Sequence, residues 1–202
     1  MGFVVEPYAT FLCYEITDIQ KAKTLLPNGF ELVKTRIFND DEPKYYCIFG
    51  CFTAHTSAFW GSRVEFYIIA EDQNTKLLSW IIVDYDSNTI SYDKKDGLRS
   101  PNSKHGVVTT GYGGKIYIDF PKDDKSRNIS LEADIKEGVI ISLDQRLWLE
   151  GNLSIGYGST FDPKDASIFS LKFDPREVES AVNIPLNNVN IETNTRYPGL
   201  FS

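Results

Sequence analysis

The sequence predicts an α+β domain dominated by antiparallel β-structure, a sheet or barrel carrying two short helices. Three observations predict it. Runs rich in Val, Ile, Tyr, Phe and Thr follow one another along the chain, separated by turns bearing Gly, Asn or Asp. Only two segments carry helix signals, and "WIIVDY" is apolar on both faces, as a strand enclosed between two layers would be.

The first strand is "TFLCYEI". It runs into "TDIQKAKTLLPNGF", where Thr17 or Asp18 can cap a helix, Ile19, Ala22, Leu25 and Leu26 share one face, and Pro27 ends it. "ELVKTRIF", "YYCIFGCFTA", "RVEFYIIAED" and "LLSWIIVDYD" come next. "TISYD", "GVVTTGYGGKIYIDF", "ISLEADI", "GVIISLDQRLWLEGNLSIGYG" and "IFSLKF" complete the strand-like series, with "EDQNTK" and "IKEGV" as turns. "GYGGK" at 111–115 precedes a strand and reads as a hairpin turn, not a phosphate loop. In "FDPREVESAV", Asp174 as cap, Pro175 at the first position and Glu177 completing a capping box predict the second helix, with Val178, Ala181 and Val182 on its apolar side.

With 202 residues, no internal repeat and no low-complexity linker, one domain over 1–202 is expected. The formal charge of −7 is spread along the chain and disfavours phosphate backbones and anionic lipid, so neither nucleic acid nor membrane is an expected partner. No segment reads as a leader or an apolar span, and the expectation is a soluble, cytoplasmic protein. Cys13, Cys47 and Cys51 lack the second pair that a structural zinc site needs, and with only His55 and His105 no metal site is expected. The three thiols read as small buried side chains, with residues 47 and 51 on one strand face. No nucleophile elbow occurs, and no carboxylate pair has a compelling spacing.

"TFLCYEITDIQKAKTLLPNGFEL", followed by a strand holding Glu65 in "GSRVEFYIIA", a hairpin, and the acidic-ended "WIIVDYD", resembles the acetoacetate decarboxylase superfamily over about residues 8–90. The resemblance implies a curved barrel or cone-like sheet, its antiparallel strands rolled around a closed, mostly apolar cavity. It also implies a buried lysine that forms a Schiff base with a keto acid, activated by a second lysine, for which this enzyme is a standard example. Only Glu65 matches the family's site. The family's second cavity glutamate falls near Gly50, its arginine near Tyr8, and its lysine pair near Ser100-Pro101. Lys94-Lys95 is adjacent but arrives early, Lys104 stands alone, and the preceding glycine, arginine and proline are missing.

Each candidate has two readings. Lys95 is a Schiff-base amine or part of a hydrated turn, and the flanking acids of "YDKKDG" raise a lysine pKa where a nucleophile needs it lowered. Glu65 faces away from Val64 and Phe66, either into a cavity or on a sheet surface paired with Arg63. His55 opens the loop "HTSAFWG" beside Phe59 and Trp60, as a pocket-mouth residue or a structural histidine. Arg146 shares a strand face with Trp148 and Glu150, answering a ligand carboxylate or pairing with Glu150. The expected activity is that of a lyase on a small keto or enol acid, or else binding of a small organic acid by a scaffold that lost the amine. No cofactor is expected, and a homo-oligomer is.

Overall fold

In the computed structural model the described residues are 3–5, 10–37, 42–56, 59–76, 78–88, 90–91, 105–121, 127–142, 152–155, 169–172, 180–188, 190–193 and 200. The strands are β1 (Phe3–Val5), β2 (Thr10–Glu15), β3 (Phe30–Leu32), β4 (Tyr46–Thr56), β5 (Phe59–Asp72), β6 (Leu78–Ser87), β7 (Ile90–Ser91) and β8 (Val107–Thr110). After them come β9 (Lys115–Pro121), β10 (Arg127–Asp134), β11 (Val139–Ser142), β12 (Asn152–Ile155), β13 (Phe169–Lys172), β14 (Ser180–Asn183) and β15 (Asn190–Thr193). A helix, α1 (Ile19–Thr24), lies between β2 and β3, and 3-10 turns span Ile135–Glu137 and Leu186–Asn188.

The main sheet runs β1-β4-β5-β6-β12-β13, with β2 added to β4 and β3 and β7 to β5. A second sheet has the order β15-β10-β9-β8, and β11 pairs β14 as a ribbon. Among the described residues every pairing is antiparallel except that of β12 with β6. The antiparallel α+β character is as expected. Among the described residues the ladders form three open sheets and none closes on itself.

β5 organises the molecule. Its residues 61–70 are all buried, so the strand is covered on both faces. Phe66, Ile68 and Ala70 join Cys47, Ile81 and Val83 in one core, which α1 covers with Ala22 and to which Leu26, Leu32 and Leu200 belong. Val64 and Cys51 join Val108, Ile116, Ile118, Phe120, Ile129 and Leu131 in a second core between the main sheet and the β8–β10 sheet. Each such aliphatic side chain contributes about 1.5–3 kcal/mol on burial. Phe49 packs against both cores. The apolar run of β6 is enclosed as predicted, with Trp80, Ile81, Ile82 and Val83 all buried.

α1 forms as the sequence implies: Asp18 caps it by accepting from the Lys21 amide at 3.0 Å. The Thr17 and Asp18 amides donate to the Leu200 carbonyl, which ties the start of α1 to the far end of the chain. The predicted second helix is corrected at its end. Its Ser180, Ala181 and Val182 lie in β14, paired with Ser142, Ile141 and Ile140, and its 173–179 portion lies outside the described residues. A β-branched Val182 packed over Gly138 suits a ladder better than a helix. "GYGGK" is the β8–β9 hairpin turn, with Gly113 at φ 92° and Gly114 at φ 97°, values that favour glycine.

Candidate functional site

The face of β5 opposite the two cores carries Arg63, Glu65, Tyr67 and Ile69, and β4 and β6 set Ile48, Trp80 and Ile82 around them. Arg63 is fully buried, and Glu65 and Tyr67 are each 2% exposed. The Arg63 Nε donates to Glu65 Oε1 at 2.6 Å, and the Tyr67 hydroxyl donates to Glu65 Oε2. Period-two alternation along a strand places all three on one side. Both carboxylate oxygens thereby have donors, which offsets the large cost of taking a charge out of water.

Gly50 makes this arrangement possible. It sits opposite Glu65 on β4, and a Cβ there would lie 2.6 Å from Tyr67 Cε2 and 3.1 Å from its hydroxyl. Tyr67 itself stands opposite Ile48, so its ring leans across the glycine to reach the carboxylate. The missing side chain at Gly50 thus leaves room that the phenol fills. Tyr67 also meets Trp80 edge-on at 5.6 Å between ring centroids, and Trp80 meets Phe11 at 5.4 Å. Burial pushes the Tyr67 phenol well above its usual range, and the Glu65 carboxylate adds to that shift. It is a hydrogen-bond donor at any physiological pH.

The other predicted residues distribute as follows. Glu65 and Arg63 pair, as one reading had it, but inside the protein instead of on a sheet surface. His55 is corrected from a loop residue to a β4 residue, opposite Trp60 of β5 and Val4 of β1. The aromatic β-formers Phe59 and Trp60 belong to β5, Trp60 within the ladder to β4. Lys94, Lys95, Lys104, Arg146 and Trp148 lie outside the described residues. Tyr67, Gly50 and Trp80 were missed, although R-x-E-x-Y at period two placed Tyr67 beside Glu65 in plain sight.

Compared with family models, with curated proteins and with solved structures, the chain has no match. Its chemistry is therefore read from its own residues. Cys47 and Cys51 are buried, and burial raises both thiols, that of Cys47 to about 12, so neither ionises near neutrality. Among the described residues no group of three His, Cys, Asp or Glu side chains is placed to hold a metal ion. Nor, among them, is any helix long and apolar enough to cross a membrane.

A second polar cluster joins the sheets. Val108 N donates to Ser62 Oγ at 3.2 Å, Ser62 and Thr53 hydroxyls meet at 2.7 Å, and Thr53 Oγ1 donates to Val108 O at 2.8 Å. The Asn88 side chain accepts from Ser62 N and donates to Gly106 O. These hydroxyls are committed to backbone partners and serve as a seam between β4, β5 and β8. The Arg63–Glu65–Tyr67 cluster is the candidate site.

Proposed function

We propose that this chain is a small-molecule-binding protein of acetoacetate decarboxylase-like, cone-like architecture, whose ligand is a small organic acid recognised on the Arg63–Glu65–Tyr67 face of β5. The observation that carries the reading is the fully buried Arg63–Glu65 pair with its tyrosine, set in a sheet face shared with Ile48, Ile69, Trp80, Ile82 and the buried Ser87 opposite Arg63. Apolar residues of similar volume would cost less there, and buried charged clusters concentrate at functional positions. A buried guanidinium is the cation best suited to a carboxylate, and the Tyr67 hydroxyl, by donating to Glu65 Oε2, holds the neighbouring carboxylate in place beside it. Catalysis of a lyase type on a keto or enol acid is the stronger form of the reading and needs an amine, for which Lys95 is the sequence candidate.

Thermal denaturation of the whole chain against a panel of small keto, hydroxy and enol acids tests the binding. A true ligand at about a hundred times its Kd adds about 2.7 kcal/mol of stability. The Tyr67→Phe variant should fold and bind more weakly. A panel in which no acid raises the melting temperature refutes the proposal. For the lyase form, borohydride reduction with acetoacetate or pyruvate should leave a covalent adduct visible in the intact mass and absent from Lys95→Arg.

A further inference from the structure

The corner between α1 and β3 holds the one Asn-Gly step of the chain, Asn28-Gly29. Both residues are exposed, and the Phe30 amide closes the turn on the Pro27 carbonyl at 3.3 Å. Gly29 has φ 88°, and no atom lies within 4 Å of where its side chain would stand. Among the described residues its amide donates no hydrogen bond, whereas its carbonyl accepts from the Gln73 amide at 2.8 Å. An asparagine amide carbon beside an uncrowded, unhindered backbone nitrogen is the geometry of least resistance for intramolecular attack.

We infer that Asn28 is a site of spontaneous deamidation and isoaspartate formation, with water as the only co-reactant. The Gly29 nitrogen bonds to the Asn28 Cγ, the bond from Cγ to Nδ2 breaks, and ammonia leaves with the proton from the glycine nitrogen. Water then opens the cyclic imide. Cleavage at Cγ gives aspartate, and cleavage at the main-chain carbonyl leaves Gly29 joined through the side chain as isoaspartate. No electron changes hands. A neutral amide becomes a carboxylate, and the isoaspartate form lengthens the main chain one residue before the carbonyl that holds Gln73.

That carbonyl is what ties this corner to the hairpin between β5 and β6. Around it acids outnumber bases: Glu31 stands directly opposite Glu71 and Phe30 opposite Asp72, with Lys76 paired to Glu71 at 3.3 Å. A further carboxylate here adds like-charge repulsion, and a lengthened backbone withdraws the Gln73 partner. Conversion therefore loosens the start of β3.

The test is incubation of the folded chain in mildly alkaline buffer, followed by tryptic mapping. Cleavage after Lys23 and Lys34 releases the segment from Thr24 to Lys34, which contains the site alone. The expected result is progressive splitting of that peptide into aspartate and isoaspartate forms, distinguished by electron-transfer fragmentation. The Asn28→Ser variant under the same conditions should show no change in this segment, and the converted wild type should melt lower than the fresh protein. Survival of Asn28 in the folded chain, after a free peptide of the same sequence has converted fully, overturns the inference.

Discussion

Glu65 accepts from two donors within a sheet face shared with Ile48, Ile69, Trp80, Ile82 and Ser87, so the three polar side chains stand or fall together. Removing one partner strands a charge in a medium that cannot solvate it. Glu65→Leu leaves the Arg63 guanidinium buried without its carboxylate and should cost about 3–5 kcal/mol. Tyr67→Phe takes one neutral donor from the carboxylate and should cost about 1–3 kcal/mol. Replacing Arg63 and Glu65 together by Met and Leu removes both charges, and should destabilise less than Glu65→Leu alone. Urea unfolding of the single and double variants measures the coupling directly. Additive single effects of under about 1 kcal/mol would mean that the pair is not a buried ionic unit.

At the scale of elements, α1 has six residues, too few to persist without tertiary support. Its support comes from Ala22 against the first core and from Leu200, which is fully buried and accepts from the Thr17 and Asp18 amides. Leu200→Ala should therefore cost about 2–5 kcal/mol, and hydrogen exchange should speed up in the first turn of α1 more than in β9. Equal acceleration in both places would refute the idea that the chain end pins the helix. The helix was legible in the sequence because its determinants are local: the Asp18 cap and the spacing of Ile19, Ala22, Leu25 and Leu26. At the end of "FDPREVESAV" the apolar spacing misled, because Ala181 and Val182 pair with Ile141 and Ile140 some forty positions away, and local spacing carries no information about such partners. The candidate site shows the same division. Period two put Arg63 and Glu65 side by side, but the burial of that face depends on layers brought together by topology. Gly50 opposite Glu65 is likewise a matter of cross-strand register between β4 and β5, which no spacing within β5 could reveal.

For the whole molecule, enclosing β5 on both faces and burying Cys47 and Cys51 of β4 has a consequence in alkali. Burial pushes the Cys47 thiol from 9.0 up to about 12, and moves the Cys51 thiol and the Tyr67 phenol in the same direction. In the unfolded chain Cys47 releases its proton near its ordinary value, whereas the folded protein holds it far longer. The stability due to the protonated, buried form is thus complete below pH 9.0 and is lost as pH climbs toward about 12. Each such group contributes a slope of about 1.4 kcal/mol per pH unit in that window, and Tyr67 joins above its ordinary 10.0. Asp72 works in the opposite sense at the acid end. Its carboxylate accepts from the Asn74 amide and is held below 3.8, so its contribution is present above that value and fades as pH falls. Under reducing conditions the urea midpoint should hold steady through neutral pH and fall steeply from about pH 9 upward. Cys47→Ala should make that fall shallower while lowering the neutral plateau by the cost of a small void. A midpoint that stays level to about pH 11 would mean that the thiols reach solvent and that β4 is not enclosed on the face shared by Cys47 and Cys51.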